Sequence, residues 1–504
     1  MTFQNLSTRC STHKLQICAL VLAFSVCAFA DQKPNSAMQM STKSPQARAF
    51  FEQGLAKMET LHIEAGLQNW RNAAKADPNF GLAHIFLAYF AQDPTEQVAE
   101  RLKAVAARRS AGPEEQLIID WLANAGESKW VPAIQAMNSA LRQYPNDKHL
   151  AWLAGWWLLL AQSEPMRAIP AFERAIQLDP NFADPWNEVA YCYARTGNFD
   201  EAFRHIKRYT ELLPTEANPQ DTYAEISRMA GKYEEALKHY RMSLKIDPGF
   251  VESQLGLGDT YALMGEEAKA RAEYAVAIQK GTKVQGVTWG LQSAASYVRE
   301  GNLSGADEAF AAVAHQAHEL DFANLEAEAY RSMGLYRKDL AAAMAALDKA
   351  EAALGEKHKV PQALIDLEMG SVLRTRVDRA LQDKNMEAAS AALKKLENLA
   401  NASPDANLQA AYHGAAGAML VAQGKYEDAI NNLEEDMRNP FSMRGLVIAY
   451  EKTGAHDNAI RMSARLSTFN EPLIEQAVVV PAFRAEGAAP SQARMETNRS
   501  EPEW

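Results

Sequence analysis

Apolar residues along this chain fall three or four positions apart, in runs of about a dozen residues closed by glycine or proline. One run places Trp186, Val189, Ala190 and Tyr193 on one face of a helix, and the next places Ala202, Ile206 and Tyr209 on one face of another. Gly197 separates the two, and Pro214 closes the second. Glycine stops a helix by accepting a left-handed backbone, and proline ends one because it has no amide hydrogen to give. Alanine is abundant and β-branched runs are scarce, which also favours helix over strand. The pattern predicts an all-α chain of paired helices.

The pairs repeat. Pro180, Pro214 and Pro248 lie 34 residues apart, Gly197, Gly231 and Gly265 keep the same interval, and so do Ala202, Ala236 and Ala270. One helix pair cannot bury its apolar face alone, so self-similarity at a fixed interval implies stacked pairs and a superhelix. Gly258 and Ala190 are expected to be small for a close helix crossing, and Tyr193, Tyr240 and Phe172 to fill the space between successive pairs, roles implied by the resemblance that follows. These residues resemble the tetratricopeptide repeat signature, and the resemblance covers most of the chain. It implies an α-α superhelix of the right-handed, tetratricopeptide type, with about 12 pairs and degenerate units in the middle and at the ends. Phe50, Gly54, Trp70, Ala73 and Pro78 make an early unit, while Gly417, Gly424, Ala429 and Leu433 mark a late one.

The first 30 residues depart from this pattern. Arg9 and Lys14 precede an apolar stretch from Ile17 to Ala30 that ends in Ala28-Phe29-Ala30, followed by Asp31. Charge, apolar block and small-residue exit in that order predict a signal peptide over 1–30. The stretch is shorter than the roughly 20 residues of a spanning helix. Cys18 follows Ile17 and Cys27 follows Val26, so neither sits in a lipoprotein cleavage box. A bacterial signal of this kind implies export, to the periplasm first and to the outside as the alternative. The polar segment 31–43 reads as a flexible leader, 44–354 as the N-terminal part of the array and 361–470 as a degenerate C-terminal part. A break between them is expected at Gly355 to Val360, and a disordered tail at 482–504.

Composition narrows the partners. Apolar residues make up 47% and charged residues 23% of the chain, enough for a substantial core. Loss of Arg9 and Lys14 takes the formal net charge from −11 to −13. An acidic chain without a basic stripe argues against nucleic acid. No further segment is apolar for long enough to enter a membrane after signal removal. Cys10, Cys18 and Cys27 leave with the signal peptide, so Cys192 has no intrachain disulfide partner.

Chemistry is sparse. No phosphate loop, dinucleotide fingerprint, nucleophile elbow or His-Glu-x-x-His motif occurs, so no catalytic residue and no cofactor are assigned. His315 and His318 lie three apart beside Glu319, a spacing able to present two metal ligands, but no third is evident and no metal is assigned. Cys192, between Tyr191 and Tyr193, lacks the basic neighbours that would activate a thiol. Most of the tryptophan-rich run around Trp156 and Trp157 reads as core between helices.

The resemblance also locates a groove. In the family, set positions on the first helix of each pair line the concave side. Carried onto this chain, they include Leu153, Trp157, Asn187, Tyr191, Arg195, Asp221, Glu225, Arg228, Asp259 and Arg299. Aromatic anchors beside mixed charges suit an extended peptide or a helix. The lysine and asparagine clamp of chaperone-binding members is absent at the matching positions. The expectation is a non-catalytic adaptor holding a protein or peptide partner. The alternatives are a metal-dependent protein or enzyme using His315 to Leu381, or an accessory subunit of an envelope assembly machine.

Overall fold

The computed structural model describes residues 38–161, 164–403 and 405–486. Among them are twenty-five α-helices and no strand. The first four pairs are α1 (Pro45–Met58) with α2 (Ile63–Ala76), α3 (Gly81–Phe90) with α4 (Pro94–Ala107), α5 (Pro113–Ala125) with α6 (Trp130–Gln143), and α7 (Lys148–Trp156) with α8 (Pro165–Leu178). Next come α9 (Ala183–Arg195) with α10 (Phe199–Leu212), α11 (Asn218–Met229) with α12 (Tyr233–Ile246), α13 (Val251–Leu263) with α14 (Glu267–Lys280), and α15 (Lys283–Glu300) with α16 (Leu303–Glu319). The last are α17 (Ala323–Tyr336) with α18 (Leu340–Gly355), α19 (Gln362–Gln382) with α20 (Met386–Ala402), α21 (Ala406–Ala422) with α22 (Tyr426–Leu433), and α23 (Pro440–Thr453) with α24 (His456–Ser467). A single helix, α25 (Ile474–Ala485), closes the series. Each helix packs on its partner and each pair on the next, so the chain is an all-α solenoid. Odd-numbered helices from α9 onward also pack on one another and line the inner face, where α25 lies against α15, α17 and α23.

Local chemistry starts and stops these helices. Ser44, Asp93, Asp147, Asp339 and Asp405 accept hydrogen bonds from first-turn amides, and each such cap contributes about 1 kcal/mol. Gly197, Gly231 and Gly265 turn the chain between paired helices at φ of +83°, +74° and +81°. Leu61 and Lys384 adopt the same left-handed backbone at turns that lack glycine. A Cβ at Gly197 would meet no atom within 4 Å. Gly197→Ala is therefore expected to cost about 1 kcal/mol through backbone strain alone, and Lys384→Gly to gain a similar amount. Thermal unfolding midpoints that move in the same direction for both variants would contradict this.

Close approach explains another glycine. A Cβ at Gly258 would lie 2.6 Å from the Tyr274 ring and 3.2 Å from the Ala270 carbonyl, so α13 and α14 meet there only because the side chain is missing. Toward the N-terminus the core is aromatic. Trp70 and Phe51 lie 5.1 Å and 5.2 Å from Phe86, and Phe90 stacks on Trp152 at 5.6 Å.

Several boundaries differ from the sequence expectation. Residues 38–43 of the expected flexible leader are anchored: the Gln39 amide donates to Glu114 and the Ser41 amide to Glu115, while Met38 and Thr42 are buried. Buried carboxylates at the start of α5 accept backbone amides, which ties residues 39–41 down. The break at Gly355 to Val360 interrupts the helices without dividing the core. Ala327, Leu347, Leu354, Val360, Ile365 and Val372 belong to one apolar cluster that crosses it. The last helix passes the expected tail boundary at 482, because Val479, Val480 and Phe483 bury against α23 and α24. The expected signal peptide at 1–30 and residues 487–504 of the tail lie outside the described residues. Among the described residues no helix is long and apolar enough to cross a membrane.

Candidate partner-binding groove

Two of the residues expected in the groove belong to the core. Leu153 is fully buried, and Trp157 is 2% exposed between Trp121 and Trp130, with ring centroids 5.9 Å and 6.0 Å away. From Trp157 to Ala161 the chain winds as a π-helix, which turns this side chain off the inner face. Trp156 faces the groove in its place, and its indole donates to Asp184 at 3.0 Å. Trp152 donates to the same carboxylate oxygen. Asp184 is fully buried and its other oxygen has no partner, so burial pushes its carboxyl up to about 7.

Six of the expected residues surround one cavity of about 270 Å³. Asn187 on α9 donates to Glu188 at 2.8 Å and accepts from the Thr222 hydroxyl at 2.7 Å. The Tyr191 hydroxyl donates to Glu225 at 2.7 Å, and Glu225 pairs with Arg228 at 3.1 Å. Asp221 accepts from Ser253 at 2.6 Å, and Asp259 accepts from Tyr274 at 2.8 Å. The sequence reading missed Leu61, which enters from the turn between α1 and α2, as well as Tyr240 and Glu252. A turn four pairs upstream leaves no mark in the repeat pattern.

The cavity is acidic and poorly solvated. Burial raises the carboxyls of Glu188, Asp221 and Asp259 above their ordinary range, and it raises the Tyr191 phenol as well. Arg228 keeps its charge against burial because Tyr240, Glu225 and Asp259 surround it. Arg195 is half-buried at the end of α9, and Arg299 lies further along, on α15. Arg299 donates to the Gln476 side chain at 3.0 Å and to the Leu473 carbonyl at 3.1 Å. Arg228 donates to the Asn470 carbonyl at 3.0 Å. The chain's own segment before α25 thus lies across the groove, an occupant that the repeat pattern does not announce.

Beyond this segment a second cavity of about 770 Å³ opens among α17, α19, α21 and α23. Arg374 on its wall contacts Asp436 and donates to Ser442 at 2.7 Å, while Phe441, Met437 and Leu473 supply apolar surface. The expected histidine pair lies elsewhere. His315 pairs with Glu319 at 3.6 Å and His318 with Glu326 at 3.0 Å, both histidines exposed. Among the described residues no three His, Cys, Asp or Glu side chains gather to hold a metal. Cys192 is buried and its thiol is pushed up to about 12 by that burial, so it is an unreactive core residue.

Family models agree with the repeat. One described as tetratricopeptide repeat matches residues 153–220, and one described as TPR repeat matches residues 226–265. The stretch 153–265 carries tetratricopeptide repeats. Repeats of this kind generally serve as protein-interaction scaffolds. Among solved structures the repeat protein is similar to yeast Tom70, at 14% identity and a TM-score of 0.40, over 82% of this chain and 97% of that one. It is also similar to the APC/C hetero-tetramer Cut9-Hcn1, at 15% identity and a TM-score of 0.39, over 82% of this chain and 76% of that one. A tetratricopeptide repeat protein from Parabacteroides merdae matches at 15% identity and a TM-score of 0.31, over 64% of this chain and 99% of that one. No curated protein matches the chain in sequence.

Proposed function

We propose that this repeat protein is a non-catalytic adaptor that holds a protein or peptide partner on the inner face of its solenoid. One observation carries the reading: Arg228 and Arg299, on first helices two pairs apart, donate to main-chain carbonyls of a non-helical segment. Such contacts ask only for a peptide backbone, so the same face suits a foreign peptide. The acidic cavity and the larger cavity beyond add side-chain subsites on either side.

Capture of partners by the immobilised full chain tests it. The Glu252→Lys variant reverses an exposed charge on the cavity wall, outside the Glu225–Arg228 pair, and should leave the fold intact. The variant is expected to retain at least ten-fold less of the main partner than the native chain, with an unchanged unfolding midpoint. Equal capture by both would sink the proposal.

The reading includes export. The order of charge, apolar block and Ala28-Phe29-Ala30 supports removal of residues 1–30 and delivery to the bacterial periplasm. Intact mass of the protein taken from its native cell is expected to correspond to a chain beginning at Asp31. A mass that includes residues 2–30 would contradict export by this signal.

A further inference from the structure

The segment that crosses the groove, 469–473, is non-helical, turns at Pro472 where the Leu473 amide donates to the Glu471 carbonyl at 2.9 Å, and leads directly into α25. Half-buried Phe469 packs against the apolar cluster under α25, and the attachments beyond it are polar. Besides the two carbonyls held by Arg228 and Arg299, the Asn470 side chain is bound at both ends. The Tyr233 hydroxyl donates to its oxygen, and its amide nitrogen donates to the Met229 carbonyl at 3.4 Å. Asn470 is 8% exposed, whereas Leu473 is 41% exposed. The helix that follows is held differently, by burial of Ile474, Ala477, Val479, Val480 and Phe483. That apolar burial does not depend on the four hydrogen bonds that hold the segment, two of them charge-assisted through arginine. Because the two are held by separate contacts, 470–473 can lift while Phe469 and α25 stay seated.

The segment also ends beside an unfilled subsite. Arg228 both holds the Asn470 carbonyl and lines the acidic cavity, and its buried Nε has no partner. Glu188, Asp221, Glu225, Glu252 and Asp259 face this single arginine. Leu61, Trp156 and Leu255 give the cavity apolar walls, which suit the aliphatic stem of a long cationic side chain. None of the segment's own residues Phe469 to Leu473 supplies a cation there.

We propose that 469–473 is a strap standing in for the partner. On this account, which rests on the adaptor reading, the groove takes an extended peptide with a carboxamide side chain at the place of Asn470. A lysine or arginine next to it enters the acidic cavity, and the strap must lift to admit both.

The test titrates two fluorescent decapeptides, one with Lys-Asn at its centre and one with Glu-Asn, into the full chain and into its Asn470→Ala variant. The Lys-Asn peptide is expected to bind the variant at least ten-fold more tightly than the native chain. It should also bind the variant at least ten-fold more tightly than the Glu-Asn peptide does. Amide hydrogen exchange at 469–473 should quicken in the variant while α25 stays protected, which separates strap release from unfolding. Equal affinity for both chains, equal affinity for both peptides, or no binding with the strap released would each overturn the proposal. Should the captured partner bind Asn470→Ala no better than the native chain and resist competition by the Lys-Asn peptide, the strap inference falls. The adaptor reading would survive that result.

Discussion

Arg331→Met is expected to destabilise the C-terminal half of the solenoid by about 3–5 kcal/mol at pH 8, the scale of breaking a buried ion pair from one side. Arg331 on α17 is 7% exposed and pairs with Glu368 and Glu475 at 2.8 Å each, with Glu328 at 3.9 Å. Methionine fills similar volume but leaves these carboxylates without a cation. Burial raises Glu328 and pushes Glu368 up to about 8 despite their contacts with Arg331. Protons can substitute for the lost charge, so the deficit should shrink at pH 5.5. Chemical unfolding of native and variant chains at both pH values checks this. An equal midpoint at pH 8, or a loss that does not shrink in acid, would count against the cluster as described. Glu475 belongs to the start of α25, so the same variant should also loosen that helix in hydrogen exchange.

The native chain should be more stable in mild acid than in mild base. Burial raises Glu368 to about 8, Asp184 to about 7 and Asp378 to about 6, so the folded chain binds protons that the unfolded chain has already released. Stability therefore falls as pH rises from the ordinary carboxylate range, near 4, through these raised values. At roughly 1.4 kcal/mol for each pH unit of displacement, the three groups together amount to several kcal/mol between pH 5 and pH 8.5. The opposite sign holds for Glu59 and Glu100. Burial would raise them, but His149 and Lys148 hold Glu59 down, and His84 and Lys103 hold Glu100 down. Their contribution is present above the ordinary range and is lost only as pH falls below about 4. The unfolding midpoint should thus peak between pH 4.5 and 6, and Asp184→Asn should flatten its decline on the basic side. A midpoint that climbs steadily from pH 5 to pH 8.5 would refute the argument.

The fold was legible because its signals are local. Gly197, Gly231 and Gly265 announce their turns by type and interval, and Gly258 announces close helix crossing. The groove was legible only in part. Asn187, Tyr191, Asp221, Glu225, Arg228 and Asp259 meet around one cavity because helical register carries each to the same face. Trp157 fails because a π-helical segment changes that register, and no residue type in Trp-Trp-Leu-Leu-Leu marks the change. Leu61, Met38 and Asn470 reach the structure through long-range contacts, which depend on how far the solenoid curves and not on any repeat position. The leader looked flexible because its residues are polar, yet its backbone amides are what Glu114 and Glu115 hold.

Amide hydrogen exchange of the full chain, alone and saturated with its captured partner, tests the role of the inner face most directly. Slowed exchange is expected only in the first helices α9, α11, α13 and α15, with 469–473 becoming faster as the strap gives way. Slowing on the outer helices α10, α12 and α14, with the inner helices and the strap unchanged, would contradict it.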